Sequence, residues 1–282
     1  MASQEHAEPV GLVRFHRDLR LATVARDLWR ARALVRALTE RDFRARYKQA
    51  VLGAAWSVIT PILMMVVFTL VFAKSQGTST GGAPYPLFSY LGLIPWTFFS
   101  TSVSQGSSSL ISNQSLMNKI YCPREVFPLA RVGLAATDMA ISIGVLLVLF
   151  GVFRYPPRGT AYWVVPLLLI QFVFAAAVGM LMASLAVYFR DLLSVLPIIL
   201  QVGLFATPVA YGLSTFIPAR WQGLYVAVNP LGAVIDGYRR SLLLGEYPRL
   251  GLTLVGAAGA VGYLMVGYLI FKRLETGFAD IA

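Results

Sequence analysis

The residue types that carry out enzymatic chemistry are scarce in this sequence. Its only histidines, His6 and His16, lie in the polar N-terminal leader. The serines and the cysteine in the rest of the chain therefore have no neighbouring histidine in the sequence that could act as a base. Cys122 is the sole cysteine, which excludes an intrachain disulfide and a multi-cysteine metal site. No glycine directly precedes a lysine, so the phosphate-binding loop of many ATPases is missing. We therefore predict that the chain is not an enzyme and binds no cofactor or metal of its own.

Cationic side chains are the most abundant charged groups. The chain has 24 Lys and Arg against 13 Asp and Glu, a formal net charge of +11. Because no separate soluble domain is present to bind nucleic acid, anionic lipid headgroups are the better partner for this charge. Apolar residues at helical spacing between Val24 and Leu38 predict an amphipathic helix over residues 23–50, lying on the cytoplasmic membrane surface. The alternative is a solvated helix packed on nothing. The cations at the end of this helix are Arg41, Arg44, Arg46 and Lys48.

The overall composition is that of a membrane protein. Hydrophobic residues make up 57% of the 282 positions and charged residues only 13%, and the mean hydropathy is +0.67. Soluble domains carry roughly twice that share of charge. We predict an all-α integral membrane protein with a leader at 1–22, the amphipathic interface helix at 23–50 and a transmembrane domain at 51–282. Its six transmembrane helices are expected at residues 51–73, 87–111, 131–153, 161–188, 192–213 and 252–271.

The distribution of basic residues predicts the orientation of these spans. With the N-terminus inside, 17 basic residues fall on the cytoplasmic side and 7 on the opposite side. The first apolar block starts near Val51, too late for a cleavable signal peptide. We therefore expect both termini in the cytoplasm. The Ala- and Arg-rich composition is typical of a GC-rich bacterium, and we expect the bacterial cytoplasmic membrane as the location.

Two polar features interrupt the apolar spans. Residues 100–109, in the second span, are rich in Ser, Thr and Gln, and such a stretch must face protein or a water-filled path. Asp138, near the cytoplasmic end of the third span, is the kind of group that ion-coupled transporters use. One acid near an interface supports ion coupling only weakly.

The segment at residues 208–251, called here the outer segment, does not fit a simple span. Three prolines break it, at Pro218, Pro230 and Pro248. Broken backbone is tolerated in membranes where protein or a cavity surrounds it. We predict two re-entrant half-helices that dip back from the outer face, with an ordinary amphipathic loop as the alternative. Its notable polar residues are Asn229, Asp236 and Arg239.

Short motifs along the chain form an ordered set that spans about residues 20–275. They are Arg41-Asp42-Phe43 with Arg46-Tyr47-Lys48, Leu52-Gly53, Trp56 and Pro61, then Pro123-Arg124-Glu125, Tyr188-Phe189-Arg190-Asp191, Pro208-Val209 and Asn229-Pro230. In this arrangement the sequence resembles the permease subunit of polysaccharide ABC exporters, the ABC-2 type family that moves O-antigen, capsule, teichoic acid or galactan. The missing phosphate-binding loop fits that resemblance.

The resemblance implies partners and a substrate. Two permease copies would form a homodimer and pair with two copies of a separate ABC ATPase, which would use ATP and Mg²⁺. The substrate would be a polyprenyl-pyrophosphate-linked polysaccharide, with membrane lipid around the complex. A short cytoplasmic helix, expected over residues 118–130, would seat in the ATPase and couple the two subunits. Its candidate coupling residues are Lys119, Arg124, Glu125 and Phe127.

The resemblance also implies a translocation path for sugars. Aromatic faces stack on sugar C–H surfaces, and a polar helix face would form a wet wall. The cluster from Arg41 to Lys48 would recruit the lipid pyrophosphate. The candidate path residues are Trp96, Phe99, Ser104, Gln105, Phe205 and Tyr211.

Two other functions remain open at this point. An ABC-2 type drug or antibiotic efflux permease would share much of the architecture. An ion-coupled lipid or glycan flippase would work without an ATPase and would depend on Asp138.

Overall fold

A computed structural model of the chain describes residues 31–48, 55–72, 80–117, 119, 122–275 and 277–278. Every regular element in these ranges is helical, which confirms the predicted all-α class. The leader at 1–22 and the first part of the predicted interface helix, at 23–30, lie outside the described residues.

The described residues form eleven α-helices. Their bounds are α1 Arg32–Lys48, α2 Ala55–Phe72, α3 Tyr85–Ser112, α4 Gln114–Met117, α5 Val126–Val152, α6 Val164–Tyr188, α7 Leu192–Ala206, α8 Leu213–Phe216, α9 Ala219–Val228, α10 Leu231–Arg239 and α11 Leu250–Glu275. A 3-10 helix, Gly159–Trp163, precedes α6, and a π-helical turn, Arg240–Leu244, follows α10.

Each predicted span falls on one of the longer helices: α2, α3, α5, α6, α7 and α11. Within the described ranges, three helical stretches are long and apolar enough to cross a membrane, at Val126–Val152, Gly159–Tyr188 and Leu250–Glu275. Trp56–Phe72 and Leu192–Ala206 are apolar but shorter. The chain is thus an integral membrane protein by its helices, and the count of six spans stays a prediction.

The fifth predicted span ends earlier than expected. The sequence predicted it to continue to residue 213, whereas α7 ends at Ala206 and Thr207 is extended, with ψ of 143°. Pro208 follows Thr207, and a proline ring disfavours the helical conformation of the residue before it. The chain therefore leaves the helix at the first of the prolines in the outer segment.

The third helix, α3, lies at the centre of the fold and packs against α2, α5, α6, α7 and α10. Its contact with α6 includes a close approach of Gly106 to Gly179, where a Cβ atom on Gly106 would lie 3.3 Å from the Gly179 Cα atom. Further along the same interface, the rings of Phe99 and Phe174 stack with their centroids 4.8 Å apart. Close backbones and stacked rings hold α3 and α6 together as the core pair.

The faces of α2 and α7 that point away from this core are apolar and exposed. On α2 they include Leu63 and Leu70, and on α7 they include Ile198 and Val202. Apolar patches of this extent require a lipid or protein cover. These two faces are therefore available to membrane lipid or to another protein subunit.

The last helix, α11, approaches its neighbours through glycines. A Cβ atom at Gly267 would lie 2.9 Å from the Ala177 carbonyl oxygen of α6, and one at Gly259 would lie 2.5 Å from the Ala227 carbonyl oxygen of α9. At Gly262, by contrast, a Cβ atom would meet nothing within 4 Å. The backbone of α11 thus touches α6 and α9 directly, with no side chain between them.

We predict that Gly259→Ala destabilises the protein and that Gly262→Ala does not. The methyl group at position 259 must push α9 away, and overpacking of this kind costs about 1–3 kcal/mol. At position 262 the added methyl meets open space, and alanine favours a helix over glycine by roughly 0.8–1 kcal/mol. The midpoint of thermal unfolding in detergent measures both effects. Equal midpoints for the two variants would contradict the close approach of α11 to α9.

Candidate functional site

A cavity of about 580 Å³ lies between α2, α3, α5 and α7. Apolar and aromatic side chains, such as Trp56, Phe98 and Leu200, form part of its wall, and Pro61 and Pro197 border it. The two prolines stand inside α2 and α7, where each removes a backbone N–H from its helix. The hydroxyl and amide side chains in the wall are Ser57, Thr60, Thr97, Ser100, Thr101, Ser104, Gln105 and Ser142.

The polar wall comes mainly from one face of α3. Thr97, Thr101 and Ser104 follow one another at intervals of four and three residues, which places them on the same side of the helix. Ser100 donates its hydroxyl proton to the Thr97 carbonyl oxygen (3.2 Å), so its lone pairs stay available to donors in the cavity. Gln105 has a buried Oε1 with no hydrogen-bond partner among the described residues. This wall therefore carries hydroxyl and amide groups that can form hydrogen bonds with a bound molecule.

Two other serines of the polar stretch form hydrogen bonds within their own helix. Ser107 and Ser109 are buried and donate to carbonyl oxygens of their own helix, at 2.7 and 2.6 Å. The stretch at residues 100–109 thus divides into a face toward the cavity and a face toward the core. Periodicity alone did not show which of its members belong to which face.

The aromatic residues predicted for the path lie in different places. Trp96 is buried against Gly203 of α7, and Phe99 is buried against Phe174 of α6, so both belong to the core rather than to the cavity wall. Phe205 is exposed at the end of α7, and the Tyr211 hydroxyl donates to its carbonyl oxygen (2.9 Å). Of the predicted path residues, Ser104 and Gln105 line the cavity. The path assignment of the other four stays a prediction.

Trp56 and Phe98 are the aromatic side chains that the structure places in the cavity wall. The sequence analysis did not assign either residue to the path. A signal was present for Phe98, because it neighbours Thr97 and lies three residues before Thr101 on α3. Trp56 was named only as part of a motif on which the family resemblance rests.

An ion pair closes one end of the cavity. The Arg46 guanidinium donates to one carboxylate oxygen of Asp138 (2.6 Å), and the Ser57 hydroxyl donates to the other (3.1 Å). Both charged residues line the cavity, with side-chain exposures of 37% for Arg46 and 16% for Asp138. Asp138 therefore joins α1, α2 and α5 at this end.

The basic residues of α1 are not equivalent in the structure. Arg41 binds the buried Asp42 (2.8 Å) and the Asn113 side-chain oxygen (2.8 Å), whereas Arg44 pairs with Glu40 one turn away on the exposed face. Arg46 reaches the cavity, and the Lys48 side chain lies outside the described residues. The four cations that the sequence grouped together thus have at least three different surroundings.

Helix α1 is packed against α5, which contradicts the alternative of a solvated helix packed on nothing. Leu38 is buried, and Asp42 also pairs with Arg131 of α5 (3.2 Å). The Thr39 hydroxyl donates to the Ala130 carbonyl oxygen (3.1 Å). One apolar contact and two polar ones therefore fix α1 on the start of α5.

The predicted coupling helix over residues 118–130 is wrong in its bounds. Val126 already belongs to α5, and residues 122–125 are not helical, because Pro123 interrupts the backbone there. The segment at residues 119–127, called here the coupling loop, ends in the first turn of α5. Burial raises the pKa of its Cys122 thiol, while the nearby Arg124 cation acts in the opposite direction.

The four candidate coupling residues differ in exposure. Lys119 is exposed, and Phe127 is fully buried in a second hydrophobic core. Arg124 donates to the Glu275 carbonyl oxygen (2.5 Å), and Glu125, only 2% exposed, forms an ion pair with Lys272 of α11. Arg124 and Glu125 thus bind the end of the last helix, and Lys119 is the most accessible of the four.

In the outer segment, Arg239 is a buried connector. Its guanidinium is 5% exposed and donates to the carbonyl oxygens of Phe88 (3.1 Å), Pro208 (2.7 Å), Val209 (2.5 Å) and Tyr211 (2.8 Å). Gly92 of α3 faces it, and a Cβ atom there would lie 2.7 Å from the guanidinium. Arg239 thereby joins α10 to α3 and to the turn after α7.

The other two predicted polar residues also hold the outer segment together. The Asn229 amide donates to the Thr207 hydroxyl oxygen (2.9 Å) and to the Tyr225 hydroxyl oxygen (3.1 Å). Asp236 lies 3.7 Å from Arg249, which precedes α11. The segment consists of the short helices α8, α9 and α10, so it is broken as predicted, and re-entry into the membrane stays a prediction.

Comparison with known proteins places this geometry in a family. The ABC-2 type transporter model matches residues 33–243. The chain is 30% identical to the O-antigen export system permease protein RfbA of Myxococcus xanthus, over 91% of this chain and 98% of that protein. It is 28% identical to RfbA of Klebsiella pneumoniae, over 88% and 94% of the two chains. It is 23% identical to the polysialic acid transport protein KpsM of Escherichia coli, over 86% and 93%. The chain belongs to the ABC-2 type transporter family.

Proposed function

We propose that this protein is the permease subunit of an ABC exporter that moves a polyprenyl-pyrophosphate-linked polysaccharide across the bacterial cytoplasmic membrane. O-antigen, teichoic acid and cell-wall galactan are the substrate types that this proposal covers. The observation that carries it is the cavity of about 580 Å³ with a hydroxyl-rich wall inside an otherwise apolar helical protein. The names of the relatives support it, because one is an O-antigen export system permease protein and another is a polysialic acid transport protein.

The cavity wall combines hydrogen-bonding and apolar groups, a combination that suits sugars. Hydroxyls on α3 accept and donate hydrogen bonds to sugar hydroxyls, while the exposed ring of Trp56 contacts sugar C–H faces. Each such contact is weak, contributing about 0.5–1.5 kcal/mol. A chain of sugars can therefore slide from one set of contacts to the next without being trapped.

Power for export comes, in this proposal, from a separate ABC ATPase that binds ATP and Mg²⁺. The coupling loop and the packed helix α1 are the surfaces assigned to that partner, with Lys119 as the most accessible contact. Two copies of the permease would meet through the exposed apolar faces of α2 and α7, which flank the cavity. Both termini lie in the cytoplasm in this arrangement.

The two competing functions have less support. A drug efflux permease would need a mainly apolar binding wall, whereas one wall of this cavity carries a row of hydroxyls. An ion-coupled flippase would need an acid that takes up and releases protons, whereas Asp138 is held by Arg46 and Ser57.

Depletion of this protein in its native host tests the proposal. We expect lipid-linked polysaccharide to accumulate in the membrane fraction and to disappear from the cell surface. A catalytically inactive ATPase partner should give the same accumulation. Unchanged surface polysaccharide together with higher sensitivity to a toxic compound would favour drug efflux. Export that continues with the inactive ATPase and stops when the proton gradient is removed would favour the flippase.

Replacing the cavity hydroxyls should impair export without impairing assembly. We expect the double variant Thr101→Leu/Ser104→Leu to lower the export rate about tenfold, because two hydrogen-bonding contacts worth about 0.5–1.5 kcal/mol each are lost. The exposed Ser115 of α4 lies outside the cavity lining, so Ser115→Leu is the matched control. Surface polysaccharide per unit of membrane-inserted protein is the measurement. Export at the wild-type rate by the double variant would show that this wall is not part of the translocation path.

The two cations Arg46 and Arg44 should differ in their effect on export. Arg46→Gln removes the positive charge at the end of the cavity that we assign to the lipid pyrophosphate, and we expect at least a tenfold loss of export. Arg44→Gln removes only an exposed pair with Glu40, worth about 0–1 kcal/mol, and should leave export near normal. The export rates of the two variants, compared at equal amounts of the protein in the membrane, test this prediction. Equal losses in both would indicate that the charge of α1 acts only on topology.

A further inference from the structure

The last helix, α11, contacts both the coupling loop and the outer segment. At its C-terminal end, Lys272 pairs with Glu125 of the coupling loop. Nearer its N-terminal end, Gly256 and Gly259 pack against α9 and α10 of the outer segment. Its 26 residues span about 39 Å at 1.5 Å per residue. One helix therefore joins two regions that lie on opposite sides of the fold.

The inner contact is a buried ion pair in which Glu125 has few other polar partners. Glu125 is 2% exposed, and its second carboxylate oxygen, Oε2, has no hydrogen-bond partner among the described residues. Lys272 also binds Glu275 on its own helix (2.7 Å). A buried carboxylate without its cation is strongly disfavoured, so Glu125 must stay with Lys272 when the loop moves.

A second contact at the same end reinforces the ion pair. Arg124 donates to the Glu275 carbonyl oxygen (2.5 Å) and lies over the Phe278 ring, 5.6 Å from its centroid. Phe278 is buried in the same hydrophobic core as Phe127 and Phe271. Adjacent residues of the coupling loop thus hold the end of α11 by both charge and packing.

The outer contact is made by backbone rather than by flexible side chains. Gly259 faces the Ala227 carbonyl oxygen of α9, and Gly256 faces Ala233 of α10. The Tyr263 hydroxyl donates to the Val228 carbonyl oxygen at the end of α9 (2.9 Å). Because the α11 backbone at Gly259 meets the α9 backbone directly, a shift of α11 there must shift α9 as well.

The helix between these contacts is continuous. Proline residues interrupt α2, α3 and α7, whereas α11 contains none. Prolines and inserted side chains are the usual causes of sharp kinks, so α11 is suited to move as one body.

We propose that α11 transmits movement of the coupling loop to the outer segment, and that the Glu125–Lys272 pair is the inner link of this connection. Lys272 is a positioning residue in this scheme, because it acts through Glu125 and contacts no substrate. The inference rests on the proposed function for the assignment of the coupling loop to an ATPase. ATP-driven displacement of that loop would then change the position of α9 and α10, the parts of the outer segment that α11 contacts.

A cysteine reporter in the outer segment tests this connection. Because Cys122 is the sole cysteine, Cys122→Ser gives a cysteine-free background, and Ala219→Cys places one thiol at the exposed start of α9. The complex is captured from the native host through a tag on this chain, and its labelling by a membrane-impermeant maleimide is timed with and without ATP plus vanadate. We expect ATP plus vanadate to change the labelling rate at least threefold.

Variants of the inner link should abolish that change. In Lys272→Gln and in Glu125→Gln, we expect the ratio of the two labelling rates to fall to about one while the ATPase is still captured. Lys272→Arg keeps the cation and should keep the threefold ratio, a rescue that simple loss of folding would not give. Arg273→Gln removes the next cation, an exposed one, and is the matched control.

Three results would overturn the inference. A threefold ratio that persists in both Lys272→Gln and Glu125→Gln would show that the pair transmits nothing. A ratio of one between the labelling rates with and without ATP plus vanadate, in the Cys122→Ser/Ala219→Cys protein with no further substitution, would show that the outer segment does not respond to nucleotide. Loss of ATPase capture in both variants would assign the pair to docking instead. If the link behaves as expected but the complex exports no lipid-linked polysaccharide, the proposed function fails and the role of α11 stands.

Discussion

Inside this apolar protein, backbone carbonyl oxygens that lose their helical partners must accept hydrogen bonds from other donors. Where the chain breaks after α7, Arg239 supplies most of these donors. Pro208 ends that helix, and the carbonyl oxygens of Pro208, Val209 and Tyr211 all accept hydrogen bonds from the one guanidinium. Because the same side chain also binds α3 through Phe88, the outer segment is fixed to the central helix. A planar group with five donors is the only side chain that can satisfy four acceptors at once.

The other end of the protein is organised around the first turns of α5. Arg131 and Asp138 of this helix hold α1 through Asp42 and Arg46, and the residue before it, Glu125, holds α11. Each contact pairs opposite charges that are at least partly shielded from water, where such pairs interact more strongly than at the surface. Helix α5 begins directly at the coupling loop, so a force applied there reaches α1, α5 and α11 together.

The cavity lies between these two fixed regions and is lined by helices of different character. On one side, α3 is packed tightly on α5 and α6 and presents a row of hydroxyls from Thr97 to Ser104. On the other side, α2 and α7 contain Pro61 and Pro197 and expose apolar faces outward. A polar wall packed on the core, opposite two helices with exposed outer faces, can widen without disturbing the core, which suits a path that opens and closes.

The sequence by itself determined the helical class, the positions of the longer helices apart from the end of α7, and the absence of phosphate-loop chemistry, because apolar blocks and missing motifs are local properties. It also singled out Ser104, Gln105 and Arg46, which do line the cavity. Only the tertiary structure showed that Trp96 and Phe99 belong to the core, that Glu125 is buried against Lys272, and that Arg239 binds four carbonyl oxygens. Which side of a helix faces the cavity, and which distant charge pairs with which, depends on how the helices pack, and no local pattern in the chain records that.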